Sequence, residues 1–234
     1  MSVQQVNVFI CKINRATEPI ENMVLKIGGS PVFSEKPDWP ICKQCGQNMD
    51  FLAQIPLSDP IPFSKTYQMA YIFMCPGSFD QRGWLQCETW DPVSGANKVI
   101  LQNYTGTTFI PETVSEYPDY FVTLTRSKEP LIDTADYKIE DDLHDIVSDK
   151  TKIGGVPLWL QTNETPKCPV CNGAMIFVAQ LDAELDGSLP AQFTNKDLEY
   201  YNFLHFGGDD GIGYVFLCKR ECTSEGITFQ WQCT

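Results

Sequence analysis

One phrase of this chain occurs twice, 126 residues apart and without a gap, and each copy carries a Cys-x-x-Cys. Lys26-Ile27-Gly28-Gly29-Ser30-Pro31 returns as Lys152-Ile153-Gly154-Gly155-Val156-Pro157. Pro40, Cys42, Cys45, Met49, Phe51, Ala53 and Gln54 return as Pro166, Cys168, Cys171, Met175, Phe177, Ala179 and Gln180. Such a repeat predicts a duplicated module. It also predicts metal, because two thiolates at this spacing can grip one ion from a single tight turn.

The similarity extends in both directions with changed offsets. Upstream, Arg15-Ala16-Thr17-Glu18-Pro19-Ile20 resembles Arg126-Ser127-Lys128-Glu129-Pro130-Leu131, displaced by 111. Downstream, Tyr71-Ile72-Phe73-Met74-Cys75 matches Tyr214-Val215-Phe216-Leu217-Cys218, displaced by 143. Gln86-Cys87 is matched with Gln232-Cys233, each with a tryptophan nearby (Trp84, Trp231). These offsets divide the chain into a first module over 1–90, a connector over 91–116 and a second module over 117–234, packed as one compact unit.

Most of the pattern is strand-like. Runs rich in β-branched and aromatic residues cover 6–13, 49–55, 68–75, 120–125, 174–181, 212–218 and 227–233, bounded by Gly, Pro or Asp. Several are apolar at successive positions, as strands buried on both faces are. Val99-Ile100-Leu101 in the connector is a further strand candidate. A short amphipathic helix is predicted over 139–147, with Ile139, Leu143, Ile146 and Val147 on one face and acids on the other. A second is predicted near 195–202. The expected fold class is mainly β (a β-rich α+β protein): two homologous β modules packed as a pseudo-symmetric pair.

The repeat sorts the ten cysteines. Cys42, Cys45, Cys75 and Cys87 correspond to Cys168, Cys171, Cys218 and Cys233, while Cys11 aligns with Val122 and reads as a small apolar strand residue. Structural zinc takes four ligands in a tetrahedron, commonly four thiolates. Two structural zinc ions per chain are therefore expected. Cys222 competes with Cys233 for the last position; the Gln-Cys match favours Cys233. A thioredoxin-like redox site would need one reactive Cys-x-x-Cys opening a helix, and here the motif precedes a strand and recurs. A catalytic zinc usually uses histidine, and His144 and His205 do not repeat.

With 30 acidic against 17 basic residues the net charge is −13, which should repel nucleic acid and anionic membranes and attract a basic protein. The run from Asp133 to Asp149 concentrates much of this charge. No window resembles the ~20 apolar residues of a membrane span. Val3, Val6, Val8 and Ile10 alternate as in a strand rather than a leader, so a cytoplasmic location is expected, where thiols stay reduced. The glycine pairs are followed by proline and strand-like residues, which fits a structural turn better than a phosphate loop. Among acidic loops, Asp209 and Asp210 with His205 are the candidates for a hydrolase-like site. A hairpin turn is the plainer reading, and neither a small-molecule substrate nor a serine elbow or dinucleotide fingerprint can be identified.

Lys26-Ile-Gly-Gly-x-Pro, Trp39-Pro40, Cys42-x-x-Cys45-Gly46, Met49-Asp-Phe-Leu-Ala-Gln-Ile55, Gly208-Asp-Asp-Gly-Ile-Gly-Tyr-Val-Phe-Leu-Cys218 and Trp231-Gln232-Cys233 together resemble the bacterial YwqG-like family, a domain of unknown function. That resemblance implies a fold and no catalytic residues. Family members often lack the cysteines, so zinc rests on this sequence. A more distant likeness is to the family of eukaryotic programmed cell death protein 2, which implies a chaperone for a basic ribosomal protein. The expected function is a non-enzymatic, zinc-stabilised protein-binding module of chaperone or immunity type.

Overall fold

The structure is a computed structural model that describes residues 4–77, 86–112, 117–132, 147–185, 204–207 and 211–234. Its regular elements are β1 (Gln5–Arg15), β2 (Lys26–Ile27), β3 (Asp50–Pro56), β4 (Met69–Met74), β5 (Asn97–Gln102), β6 (Tyr120–Pro130), β7 (Lys152–Gly154), β8 (Met175–Asp182), β9 (Ile212–Cys218) and β10 (Ile227–Gln232). No helix occurs among the described residues. The helices expected over 139–147 and near 195–202 lie outside them, save Val147, which is buried.

All ten strands join one antiparallel sheet in the order β10-β9-β8-β7-β1-β6-β2-β3-β4-β5. That order reads the same from either end if β1 exchanges with β6, β7 with β2, β8 with β3, β9 with β4 and β10 with β5. The first strand of each half is inserted in the other half. β1 runs beside β7 and β6, and β6 lies between β1 and β2. The halves therefore share a ladder of eleven paired positions along β1 and β6.

The sheet curls until its outer strands meet. β10 and β5 come into contact without forming a ladder. The Asn97 amide donates across the seam to the Phe229 carbonyl at 3.2 Å, Lys98 pairs with Glu225, and the Trp231 indole donates to Thr89 Oγ1 at 3.1 Å.

Curling explains the continuous burial of the inner strands. Along β4, Ala70, Ile72 and Met74 point into the barrel, while Met69, Tyr71 and Phe73 point outward under the chain that carries Cys42. Along β9, Val215 and Leu217 point inward, while Tyr214 and Phe216 point outward under the chain that carries Cys168. A period of two with both faces covered gives an unbroken apolar run. The outer layers are aromatic. Phe33 packs on Tyr71 and Trp39 on Phe73 in one half, with ring centroids 4.6 and 5.2 Å apart. Trp159 packs on Tyr214 and Phe216 in the other, at 4.5 and 5.8 Å.

Equivalent polar bonds recur at the repeat offset. Gln54, fully buried, accepts from Val32 N at 2.9 Å and donates to the carbonyls of Asn22 and Val24. Gln180 accepts from Leu158 N at 2.9 Å and donates to Ser148 and Lys150. The Tyr71 hydroxyl donates to Val32 O and the Tyr214 hydroxyl to Leu158 O. Both ladders shift register at matching bulges, Phe51/Ala53 and Phe177/Ala179.

The glycine pairs are turns with left-handed backbone. Gly28 has φ +64°, and a Cβ there would lie 2.1 Å from the Pro118 carbonyl. Lys26 and Lys152, two residues before each pair, are fully buried and neutralised differently. Lys26 pairs with Asp119, and Lys152 with Glu129 at 2.8 Å.

Candidate metal centres

The first Cys-x-x-Cys forms a turn closed by its own backbone. Cys42 N donates to Gln47 O at 2.8 Å and Gly46 N returns to Cys42 O at 2.9 Å, with Gly46 at φ +75°. The second copies it: Cys168 N donates to Gly173 O and Asn172 N to Cys168 O, both at 2.9 Å. Asn172 takes the left-handed position at φ 53°, which asparagine tolerates better than most residues. Both thiols of such a turn project to the same side, toward the end of an inner strand.

That strand end supplies the third thiol. Cys75 follows β4 and Cys218 ends β9. Cys42, Cys45, Cys75 and Cys87 form one group and Cys168, Cys171, Cys218 and Cys222 the other, each with all four Sγ atoms within 4.8 Å of one another. The Sγ–Sγ distances are 3.8 Å for Cys42–Cys87, 3.5 Å for Cys45–Cys75, 3.5 Å for Cys168–Cys222 and 3.6 Å for Cys171–Cys218. A disulfide would bring two sulfurs to about 2 Å. A tetrahedral ion with Zn–S bonds of about 2.3 Å would hold them about 3.8 Å apart. The spacing fits four thiolates around one ion, and all ten cysteines are free thiols.

Backbone N–H groups aim at these sulfurs. The Gln47 N–H chiefly holds Cys45 below the ordinary thiol value. At Cys218 burial works upward, but the N–H groups of Cys222 and Arg220, with hydrogen bonds from the Cys171 and Cys168 thiols, together outweigh it and bring the thiol to about 6. Burial pushes Cys75 up and takes Cys222 to about 12. In each group, then, one thiol is shifted toward the thiolate that binds a cation.

Seven of the eight thiols expected as ligands lie in the two groups. The eighth, Cys233, does not. It sits half-buried against the barrel interior, and Cys222 takes the fourth place. The pairing of Gln86-Cys87 with Gln232-Cys233 is what misplaced it. The counterpart of Gln232 is Gln102: Ser34 N donates to Gln102 Oε1 at 2.9 Å, and Leu160 N, 126 residues further on, donates to Gln232 Oε1 at 3.1 Å. β5 is thus the partner of β10, and Cys87 belongs to a separate loop. The signal for Cys222 was its Cys-x-x-x-Cys spacing from Cys218, which lets one short turn deliver both thiols. Cys11 lies buried in β1, and burial raises its thiol to about 12.

A groove of about 420 Å³ crosses the β5–β10 seam between the two Cys-x-x-Cys turns. Its rim includes Ile41, Val93 and Val170, which are 58%, 67% and 49% exposed. In its floor, Asn97 Oδ1 is buried without a hydrogen-bond partner. Of the residues of the hydrolase-like alternative, His205 lies among the described residues. His205 is exposed beside the Tyr117 ring, centroids 6.2 Å apart, and Asp209 and Asp210 lie outside the described residues. No helix among the described residues is long and apolar enough to cross a membrane.

No family model matches this chain, and no curated protein matches it either.

Proposed function

We propose that this protein is a non-enzymatic module, held in shape by two structural zinc ions, that binds a basic protein partner. The observation that carries the proposal is the pair of four-thiol groups with sulfur spacings of 3.5 to 3.8 Å. Four thiolates select a soft or borderline cation over magnesium or calcium. A filled tetrahedron leaves no position for substrate, which makes each centre structural. Each ion would staple an outer aromatic layer to the end of an inner strand, fixing the two walls of the groove.

What those walls present supports the protein-binding part of the proposal. Three exposed apolar side chains, Ile41, Val93 and Val170, gather at the rim of one groove, a surface on which a partner can bury apolar groups. The net charge of −13 adds long-range attraction for a basic partner. Membership of the YwqG-like family, the chaperone or immunity role and a cytoplasmic location are parts of the same proposal; the matching halves and their shared bonds support an origin by duplication. The test is metal content together with partner binding. The protein purified without added metal should carry two zinc ions, and Ile41→Asp with Val170→Asp should weaken a partner recovered from cell extract while both ions remain. Partner affinity unchanged by both substitutions would place binding elsewhere; a partner that proves to be RNA or DNA would refute the protein-binding reading.

A further inference from the structure

The turn between the last two thiols of the second group also does something outside the group. Cys218-Lys219-Arg220-Glu221-Cys222 closes with Glu221 N donating to Cys218 O at 2.9 Å. Glu221 stands there at φ 48°, and it and Asn172 are the only non-glycine residues with positive φ among the described residues. Both lie in turns of the second group. A left-handed glutamate is unfavourable and persists only where its surroundings hold it.

Its surroundings are in the other half of the chain. The Glu221 carboxylate accepts from the Ser64 hydroxyl at 2.6 Å, Lys65 N at 3.1 Å and Thr66 N at 3.0 Å. Ser64 Oγ in turn accepts from Tyr67 N at 2.7 Å. These residues end the connection between β3 and β4, which closes one mouth of the barrel. Leu57, Phe63 and Tyr67 pack into the interior core, and Ile61 lies against Gly154 in β7. Among the described residues the first group shows no equivalent device: its fourth thiol comes twelve residues after Cys75.

We propose that Glu221 is a clasp by which metal in the second group fixes the barrel mouth formed by the first half. An ion holding Cys218 and Cys222 about 3.8 Å apart forces the three intervening residues into the tight turn. That turn aims the carboxylate at residues 64–66. Without the ion, residue 221 relaxes from the left-handed region and the carboxylate leaves its three donors. The coupling is reciprocal, so the contact with Ser64 also tightens metal binding at the second group. This inference rests on the zinc reading above.

Amide hydrogen exchange, read at Lys65, Thr66 and Tyr67 with zinc quantified in parallel, tests it. In wild-type protein with two zinc ions these amides should be protected. Glu221→Ala should speed their exchange at least roughly tenfold, the effect of losing a charged acceptor, with β3 unaffected. Glu221→Gln should fall between, because it keeps an acceptor without the charge. Cys222→Ser should lose one ion and speed the same amides. If that variant unfolds, wild-type protein stripped by chelator to one ion takes its place. Unchanged protection in Glu221→Ala overturns the clasp. Fast exchange in Glu221→Ala with full protection after loss of the second ion overturns the coupling to metal and leaves the clasp. Absence of any metal in the wild type sinks the zinc reading and with it the metal control, while Glu221→Ala still decides the contact.

Discussion

Glu129→Ala should be among the most damaging single changes in this protein. The Glu129 carboxylate is almost wholly buried and accepts from Lys152 Nζ at 2.8 Å, Ser148 N at 3.0 Å and Val156 N at 2.9 Å. Truncation orphans an ammonium group with no exposure at all, together with two backbone donors. Breaking a buried pair in this way costs about 3–5 kcal/mol. Asp119→Ala should cost less, because Asp119 is 16% exposed and Lys26 keeps a second partner in the Ile20 carbonyl at 3.2 Å. The pH dependence has a definite sign. Burial pushes Lys152 below its ordinary value of 10.5, and the Glu129 carboxylate pulls it back. Without the carboxylate the folded state sheds this proton at lower pH than the unfolded state does. The unfolded state then binds more protons, so the stability of the variant rises as pH climbs toward 10.5. Denaturant titration with the slope held constant measures these losses. A loss under about 1 kcal/mol for Glu129→Ala, or a larger loss for Asp119→Ala, would refute the burial argument.

Gln54→Ala and Gln180→Ala should each cost about 2–3 kcal/mol, since each orphans buried backbone groups, and the two losses in denaturant midpoint should agree because the bonds match. Gly28→Ala should prevent stable folding, readable as loss of cooperative thermal unfolding, because its Cβ would meet the Pro118 carbonyl at 2.1 Å in a left-handed backbone. Burial raises the phenols of Tyr71, Tyr120 and Tyr214 above their ordinary value of 10. The folded state keeps these protons where the unfolded state loses them, so stability should fall as pH rises past 10. A spectrophotometric titration should show these three ionising only with unfolding, and early ionisation would contradict their burial.

Much of this architecture was legible because the repeat preserved the residues that make specific bonds. Gln54 and Gln180, and Tyr71 and Tyr214, keep equivalent partners in both halves, and both Gly-Gly pairs keep a left-handed backbone. Six cysteines, Cys42, Cys45, Cys75, Cys168, Cys171 and Cys218, stand at matching offsets and lie in the two groups. The connector strand Val99-Ile100-Leu101 became β5, the edge that meets β10. What escaped depends on pairings between distant segments. The insertion of β1 and β6 into opposite halves leaves no trace in periodicity, since a strand reads the same whichever neighbour it joins. The match of Gln86-Cys87 to Gln232-Cys233 failed because a two-residue identity does not fix register; only the bonds of Gln102 and Gln232 to Ser34 and Leu160 do. Glu221 was invisible because its donors lie more than 150 residues away. The ion pairs differ between halves because Asp119, just before β6, and Glu129, within it, both come from one segment at the centre of the pseudo-symmetry.

The central claim is that two four-thiol groups, the second completed by Cys222, each hold one zinc ion. Native mass spectrometry with elemental analysis, applied to wild type, Cys222→Ser and Cys233→Ser purified without added metal, tests it most directly. Wild type should carry two zinc ions, Cys222→Ser one and Cys233→Ser two. A wild type without bound metal, or a Cys233→Ser protein that loses an ion while Cys222→Ser keeps both, would contradict it.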